Sequence, residues 1–196
     1  MTTSVVLVGV GGQGILLASE IVAQAAVIMG FDVKTNEIHG MAQRGGSVVA
    51  QIRFGCEVFS PLVPRRSAQV LGSLERIEGL RNIDYLAEDG LAVISSQKII
   101  PVTASSGGVS YPDVDKKLLL QYFPRLVYID AVEQATEMGN PKAANTILLG
   151  AMATKLSLTT DAWLEAIRQN VKEKFVDINI KAFKLGFTIG ENSSLG

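Results

Sequence analysis

Apolar and polar positions change their period several times along this chain, and each change marks a predicted element. Residues 4–8 form a nearly unbroken apolar run of strand length that stops at Gly9. From 13 to 29 apolar residues recur at helical spacing, and Gly30 stands where a helix-ending glycine belongs. Residues 31–38 read as a second short strand, so the chain opens as a β-α-β unit whose parallel strands need a crossover helix. Residues 47–54 are β-branched and partly alternating, Gly55-Cys56-Glu57 reads as a turn, and 58–60 as a strand returning antiparallel before Pro61. An exposed connection over 61–67, carrying Arg65-Arg66, leads to a strand over 70–74 and a helix over 75–86. Asp89-Gly90 then reads as a turn into a strand over 91–94.

The period weakens over 95–112, which predicts a loop or a short strand pair. A charged helix over 113–123 and a buried strand over 126–130, ending in Asp130, follow. The rest is helical: 142–156, then 162–174 capped by Thr159, Thr160 and Asp161, then 178–185 closed by Gly186. This rhythm predicts an α/β fold, a three-layer Rossmann-like sandwich with a mixed, mostly parallel sheet, one antiparallel hairpin and a helical C-terminal region. Residues 1–190 are expected to form a single domain, with 191–196 a frayed tail.

Composition narrows the function. With 196 residues, 47% of them hydrophobic, the chain can bury one sizeable core. A net charge of −1 and no basic run argue against nucleic acid or an anionic membrane as partner. The one cysteine, Cys56, excludes an internal disulfide and any iron–sulfur cluster held by this chain alone. With a single histidine beside it, no metal site is expected. The opening apolar run is far too short to span a bilayer and lacks a basic leader, so a cytoplasmic location is expected.

Candidate chemistry concentrates in the first fifty residues. Gly9-Val10-Gly11-Gly12-Gln13-Gly14 fits G-x-G-x-x-G between a strand and a helix, where glycines permit a tight turn and let backbone N–H groups reach an anion. A plainer reading is a turn that only lets the helix pack closely. A dinucleotide site would want an acid after the second strand, for which Glu37 is the candidate, but no acid/base pair for hydride transfer can be assembled. In His39-Gly40-Met41-Ala42-Gln43-Arg44-Gly45-Gly46-Ser47, Arg44 between glycines can present its fork to a phosphate or carboxylate, or form an ordinary salt bridge. His39 suits either a general base or a hydrogen-bonding partner. Cys56 beside Glu57 is not placed to be a nucleophile, and Asp130 either contacts a ligand or caps the next segment.

Together the two glycine segments resemble the gamma-type domain of the 2-oxoacid:ferredoxin oxidoreductases, closest to the small (beta) subunit of the indolepyruvate type. The likeness extends along nearly the whole chain through Asn145-Thr146-Ile147-Leu148-Leu149-Gly150, Phe175, Asn179 and Phe183-Lys184-Leu185-Gly186. It departs at Ala68-Gln69, where the family pattern would open the strand with aspartate. The resemblance implies oxidative decarboxylation of an aryl-2-oxoacid such as indolepyruvate to its acyl-CoA, with electrons passed to ferredoxin. Thiamine diphosphate and [4Fe-4S] clusters would sit in a larger partner subunit, in keeping with one cysteine and no Gly-Asp-Gly signature here. It also implies no catalytic residue in this chain. The cofactor-facing set is Gly9, Gly11, Gly12, Gln13, Gly14, Arg44, Gly45 and Gly46, with contact to coenzyme A left open. His39, Met41, Gln43 and Ser47 would face the partner and its active site. The isolated chain would be inactive and could pair with itself through apolar surface left uncovered.

The alternative is a stand-alone protein binding NAD(P) or another nucleotide at residues 9–14. Titrating the purified chain with NADH separates the two: the subunit reading predicts no tight binding, and saturable micromolar binding would overturn it.

Overall fold

The computed structural model describes residues 2–40, 45–100 and 112–193. Strands β1 (Thr3–Val10), β2 (Asp32–His39), β3 (Ser47–Gly55), β4 (Ala68–Ser73), β5 (Leu86–Ser95) and β6 (Leu126–Ile129) form one six-stranded sheet in the order β2-β3-β1-β4-β5-β6. The ladders β1–β4, β4–β5 and β5–β6 are parallel, whereas β3 runs antiparallel to both neighbours, β1 and β2. The sheet is therefore mixed and mostly parallel, as the strand–helix rhythm predicts.

Its hairpin is not the expected one. Residues 58–60 form no strand, because β2 and β1 already occupy the two edges of β3. Side chains satisfy the loop instead. The Val58 N–H donates to the Asp32 carboxylate at 2.8 Å and the Val63 N–H to Gln51 Oε1 at 2.6 Å, while Arg53 Nη1 donates to the carbonyls of Ser60 and Leu62. The Lys34 ammonium and the Val58 N–H hold the Asp32 carboxyl below its ordinary range. Its tie to the loop is thus present at neutral pH and is lost only as the pH falls past the ordinary range and through the lowered value.

Alternation along the central strands feeds two cores. Val5 and Leu7 of β1, with Val70, Val93 and Val127, face α1 (Ile15–Ile28) and four later helices. Val6, Val8, Leu71, Ala92 and Ile94 face α2 (Arg76–Arg81) and α3 (Lys116–Tyr122) on the other side. The four later helices are α4 (Ala131–Glu137), α5 (Ala144–Ala153), α6 (Thr160–Asn170) and α7 (Val176–Ser193), which complete three layers. Among the described residues no helix is long and apolar enough to cross a membrane.

Other expectations need adjustment. The helix predicted over 75–86 is only the short α2 followed by a single 3-10 turn, Ile83–Tyr85. Asp89-Gly90 does not turn the chain: β5 passes through it, and the β4–β5 register shift between Ala68 and Val70 absorbs the extra length. Of the weakly periodic stretch, 101–111 lie outside the described residues. Gln69 occupies the strand opening where aspartate was expected, and its Oε1 accepts from the Ser4 N–H at 2.6 Å.

Gly186 does not close a helix either, since α7 continues through it to Ser193. Its role is contact. A Cβ on Gly186 would stand 1.8 Å from the carbonyl oxygen of Ile147, and one on Gly150 2.1 Å from that of Phe183. Helices α5 and α7 thus meet backbone against backbone, and every residue of α5 is buried. The supporting motifs of the sequence, Asn145 to Gly150 and Asn179 to Gly186, are the two sides of this contact. Replacing Gly186 by alanine must force the helices apart and is expected to cost about 3 kcal/mol. Gly190→Ala, whose Cβ would lie 2.9 Å from the Ala151 carbonyl oxygen, should cost less. Urea midpoints of the two variants check this ranking, and an unchanged midpoint for Gly186→Ala would refute it.

Candidate functional site

The glycine turn leaves the carboxyl end of β1, where the chain runs through α1 towards β2 and β3 on one side while β4 lies on the other. Open α/β sheets place ligands at this kind of switch point. Gly12 and Gly14 adopt φ of 100° and 81°, which L side chains rarely tolerate. Gly14 is the N-cap of α1, and no side chain caps that helix, so its first-turn N–H groups and positive dipole end remain available.

Gln13 holds this turn in place. Its Oε1 accepts from the Val10 N–H, while its Nε2 donates to the Leu74 carbonyl and to Gln97 Oε1, each at 2.7 Å. The amide is therefore engaged by the protein and fixes the turn, and Gln13 also lines the pocket at this edge. Gly9 leaves room for this side chain, since a Cβ there would be 2.7 Å from Gln13 Oε1. Asn145 Nδ2 donates to the Gly14 carbonyl at 3.3 Å, and the neighbouring Thr146 hydroxyl donates to Asn179 Oδ1 at 2.6 Å. The turn is thus tied to the α5–α7 pair.

The second glycine segment meets the first. The Gly11 N–H donates to the Gly46 carbonyl at 2.9 Å, and the Gly40 N–H to the Ser47 carbonyl at 2.8 Å. The Ser47 hydroxyl donates to Glu78, a buried carboxylate that also accepts from Arg81 Nη1 at 3.0 Å. Glu75, buried beside it, caps α2 by accepting from the N–H groups of Ile77 and Glu78. With Gly11 committed to Gly46, the turn's remaining donors are those of Gly12, Gly14 and the first turn of α1.

These donors border a pocket of about 570 Å³ along the carboxyl edge of the sheet. Leu17, Leu74, Ile99, Val132 and Pro141 supply its apolar walls; Gln97, Asn145 and Lys142 supply polar groups. Lys142 is exposed there, a cation near the positive end of α1. A mostly apolar cleft with backbone donors and one cation suits an anionic group attached to a larger apolar body.

Other sequence candidates fall as follows. Gly45 lies in the second segment with φ of 75°, while Met41, Gln43 and Arg44 lie outside the described residues. His39 ends β2, half exposed, with Nε2 3.8 Å from Glu37 Oε2. Glu37 accepts from the Ser19 hydroxyl at 3.1 Å. Strand β3 stands between β2 and β1, so Glu37 does not sit on the strand beside the glycine turn, as a ribose-binding acid would. Asp130 precedes α4 without making the side-chain cap expected of it, and Cys56 is exposed and free. Among the described residues no three His, Cys, Asp or Glu side chains cluster as metal ligands would. Gln97, Lys142 and Glu78 belong to no motif. Only the Asn140-Pro141 helix-start signal before Lys142 could have drawn attention to that region.

Comparison with known proteins names this arrangement. The Pyruvate ferredoxin/flavodoxin oxidoreductase family matches residues 4–189. The chain belongs to that family. Indolepyruvate oxidoreductase subunit IorB of Archaeoglobus fulgidus is 40% identical to it over 191 residues that cover 95% of this chain and 94% of the relative. The gamma subunit of a keto/oxoacid ferredoxin oxidoreductase from Geobacter sulfurreducens superposes with a TM-score of 0.71 at 21% identity, covering 97% of this chain and 99% of its own. The 2-oxoglutarate:ferredoxin oxidoreductase of Magnetococcus marinus superposes at 0.74 with 19% identity, covering 97% of this chain but 31% of its own. Within the pyruvate ferredoxin/flavodoxin oxidoreductase family this chain is a small subunit of a 2-oxoacid:ferredoxin oxidoreductase.

Gln13→Leu removes three hydrogen bonds and strands the Val10 N–H and the Leu74 carbonyl, and should cost about 2 kcal/mol. Gln13→Glu sets a carboxylate against the Leu74 and Gln97 oxygens, which raises its folded-state pKa above the ordinary glutamate value. That variant should be weakest near neutral pH and regain stability as the pH falls and the carboxyl protonates. Chemical denaturation at pH 7.5 and 5 (roughly spanning the raised titration) checks it; equal losses at both would refute the account.

Proposed function

We propose that this chain is the small subunit of an aryl-2-oxoacid:ferredoxin oxidoreductase of the indolepyruvate type, working in the cytoplasm with a larger subunit. The observation that carries this is the 40% identity, spread over 95% of the chain, to a subunit that bears that name. The joined glycine segments support it, because they make one continuous surface at the carboxyl edge for a partner's active site to meet.

Thiamine diphosphate and the [4Fe-4S] clusters belong to the larger subunit in this reading. One cysteine cannot ligate a cluster, and no Gly-Asp-Gly segment is present to hold the diphosphate's metal. When bound there, thiamine diphosphate supplies the carbon that takes up the 2-oxoacid for loss of carbon dioxide, and the clusters carry the electrons on to ferredoxin. This chain's residues bind and orient. The donors of Gly12, Gly14 and α1, with Lys142, suit a phosphate of coenzyme A, and the apolar walls suit the rest of such a carrier. The structural relative from Magnetococcus marinus was solved with coenzyme A bound. In this reading Arg44 would steer a phosphate or carboxylate, and His39, Met41, Gln43 and Ser47 would meet the partner and its active site.

Anaerobic co-purification from the native host, with iron and thiamine assays and viologen reduction by indolepyruvate and coenzyme A, tests the assignment. A cysteine-rich larger subunit should co-elute, and the isolated chain should be inactive. Within the complex, Arg44→Ala should lower kcat/KM roughly tenfold or more, the loss of one charged hydrogen bond. Lys142→Met should raise KM for coenzyme A with little change in kcat. A chain that elutes alone with a bound nucleotide would overturn the proposal.

A further inference from the structure

The Ser47 hydroxyl is committed within the chain. Ser47 opens β3 opposite Val10 at the end of β1, and its carbonyl accepts from the Gly40 N–H, so its backbone joins the two ends of the second glycine segment. The residue before it, Gly46, accepts from the Gly11 N–H of the glycine turn. Ser47 thus stands where both segments attach to the sheet. Its side chain donates to Glu78 of α2, which belongs to neither segment.

Glu78 is 5% exposed, an uncommon position for a carboxylate. Its ion pair with Arg81 does not account for that burial, because the guanidinium is 65% exposed and a glutamate on the outer face of α2 would reach it as well. Taking a carboxylate out of water is costly, and a leucine of similar size would fill the space without that penalty. What the carboxylate adds is a charged acceptor, which holds a hydroxyl roughly twice as strongly as a neutral oxygen does.

That acceptor is itself fixed to the sheet. Helix α2 lies against the ends of β4 and β5, where a Cβ on Gly79 would stand 3.0 Å from Ile94 Cδ1 and 3.1 Å from Ser73 Cβ. The Asn82 amide donates to the Glu78 carbonyl at 2.8 Å, and Glu75 caps the helix. Gly45 and Gly46 have no side chains of their own to hold them, so over residues 45–47 the serine hydroxyl is the one side-chain tie.

We propose that Glu78 is a positioning residue for the oxidoreductase reaction, acting through Ser47 to fix Gly46 and, through the Gly11–Gly46 bond, the backbone donors of the carboxyl edge. The proposal rests on the reading that this edge meets the partner's active site. A misplacement of about an ångström at such a site can lower a rate roughly a hundredfold, so a bond away from the chemistry can govern turnover.

The test uses the complex with its larger subunit, assayed by viologen reduction with coenzyme A and whichever of a set of 2-oxoacids, indolepyruvate among them, it turns over fastest. Ser47→Ala and Glu78→Leu should each lower kcat per assembled complex roughly tenfold or more at saturating substrates, while melting temperature and yield of complex stay near wild type. The double variant should lose no more than either alone, since both changes break one bond. Ser47→Thr and Glu78→Gln keep a hydroxyl and an acceptor and should recover most of the activity. Arg81→Gln removes only the outer partner and should behave as wild type. A wild-type kcat for Ser47→Ala, losses that multiply in the double variant, rates that follow melting temperature instead of the bond, or an Arg81→Gln loss equal to that of Ser47→Ala would each overturn the proposal. If Arg44→Ala and Lys142→Met also leave kcat and KM unchanged, the reading of the carboxyl edge falls with it; if those two are impaired and Ser47→Ala is not, only the positioning role falls.

Discussion

The amide of Gln13 is the bond on which the carboxyl edge depends. It joins three parts of the chain far apart in sequence: its own turn through Val10, the end of β4 through Leu74, and the segment after β5 through Gln97. From Leu74 the connection passes along the backbone to Glu75 and Glu78, then to Ser47 and Gly46, and returns to the turn at Gly11. The result is a closed circuit of hydrogen bonds and covalent chain around the end of β1. Buried polar circuits of this kind rigidify because each donor has one acceptor within reach. A turn so placed keeps Gly12 and Gly14 fixed without using their own N–H groups, which leaves those groups for a ligand.

The helical layer supports the same turn from behind. Because α5 and α7 touch through backbone at Gly150 and Gly186, α5 cannot slide or rotate, and Asn145 at its start is held where it meets the Gly14 carbonyl. Thr146 and Asn179 add a bond across the pair in the dry interior, where an unmade one would be costly. The distant motifs of the C-terminal third thereby act on the first loop through packing and through direct contact.

Much of this was legible in the sequence, and the exceptions share a cause. The strand–turn–helix opening, the order of strands and helices, and the two glycine segments follow from local pattern and turn chemistry. What pattern could not show is which strands become neighbours. Residues 58–60 look like a strand return, but pairing is decided by which edge of β3 is free, and neither is. Gly90 and Gly186 look like stops because a lone glycine marks both a turn and a close approach, and only the neighbouring chain distinguishes the two. The same ambiguity hid the inward role of Gln13, which sits in a motif where ligand contact is the ordinary expectation. Gln97 and Lys142 reach the pocket from segments with no motif, one brought there by the end of β5 and the other by the turn that opens α5.

The antiparallel course of β3 also bears on how the chain acquires its shape over time. Strands β1, β2 and β3 with α1 come from the first fifty-five residues, so their contacts span fewer residues than those of Gln13 with Leu74 and Gln97. Such contacts form sooner than distant ones, and the N-terminal portion is the first to leave the ribosome. The Gly11–Gly46 bond can therefore form early, while the partners of Gln13 at Leu74 and Gln97 arrive only with β4 and β5. The loops are shaped by the first third of the polypeptide and locked by the second, so a nascent chain carries a recognisable but loose site well before it carries a finished one.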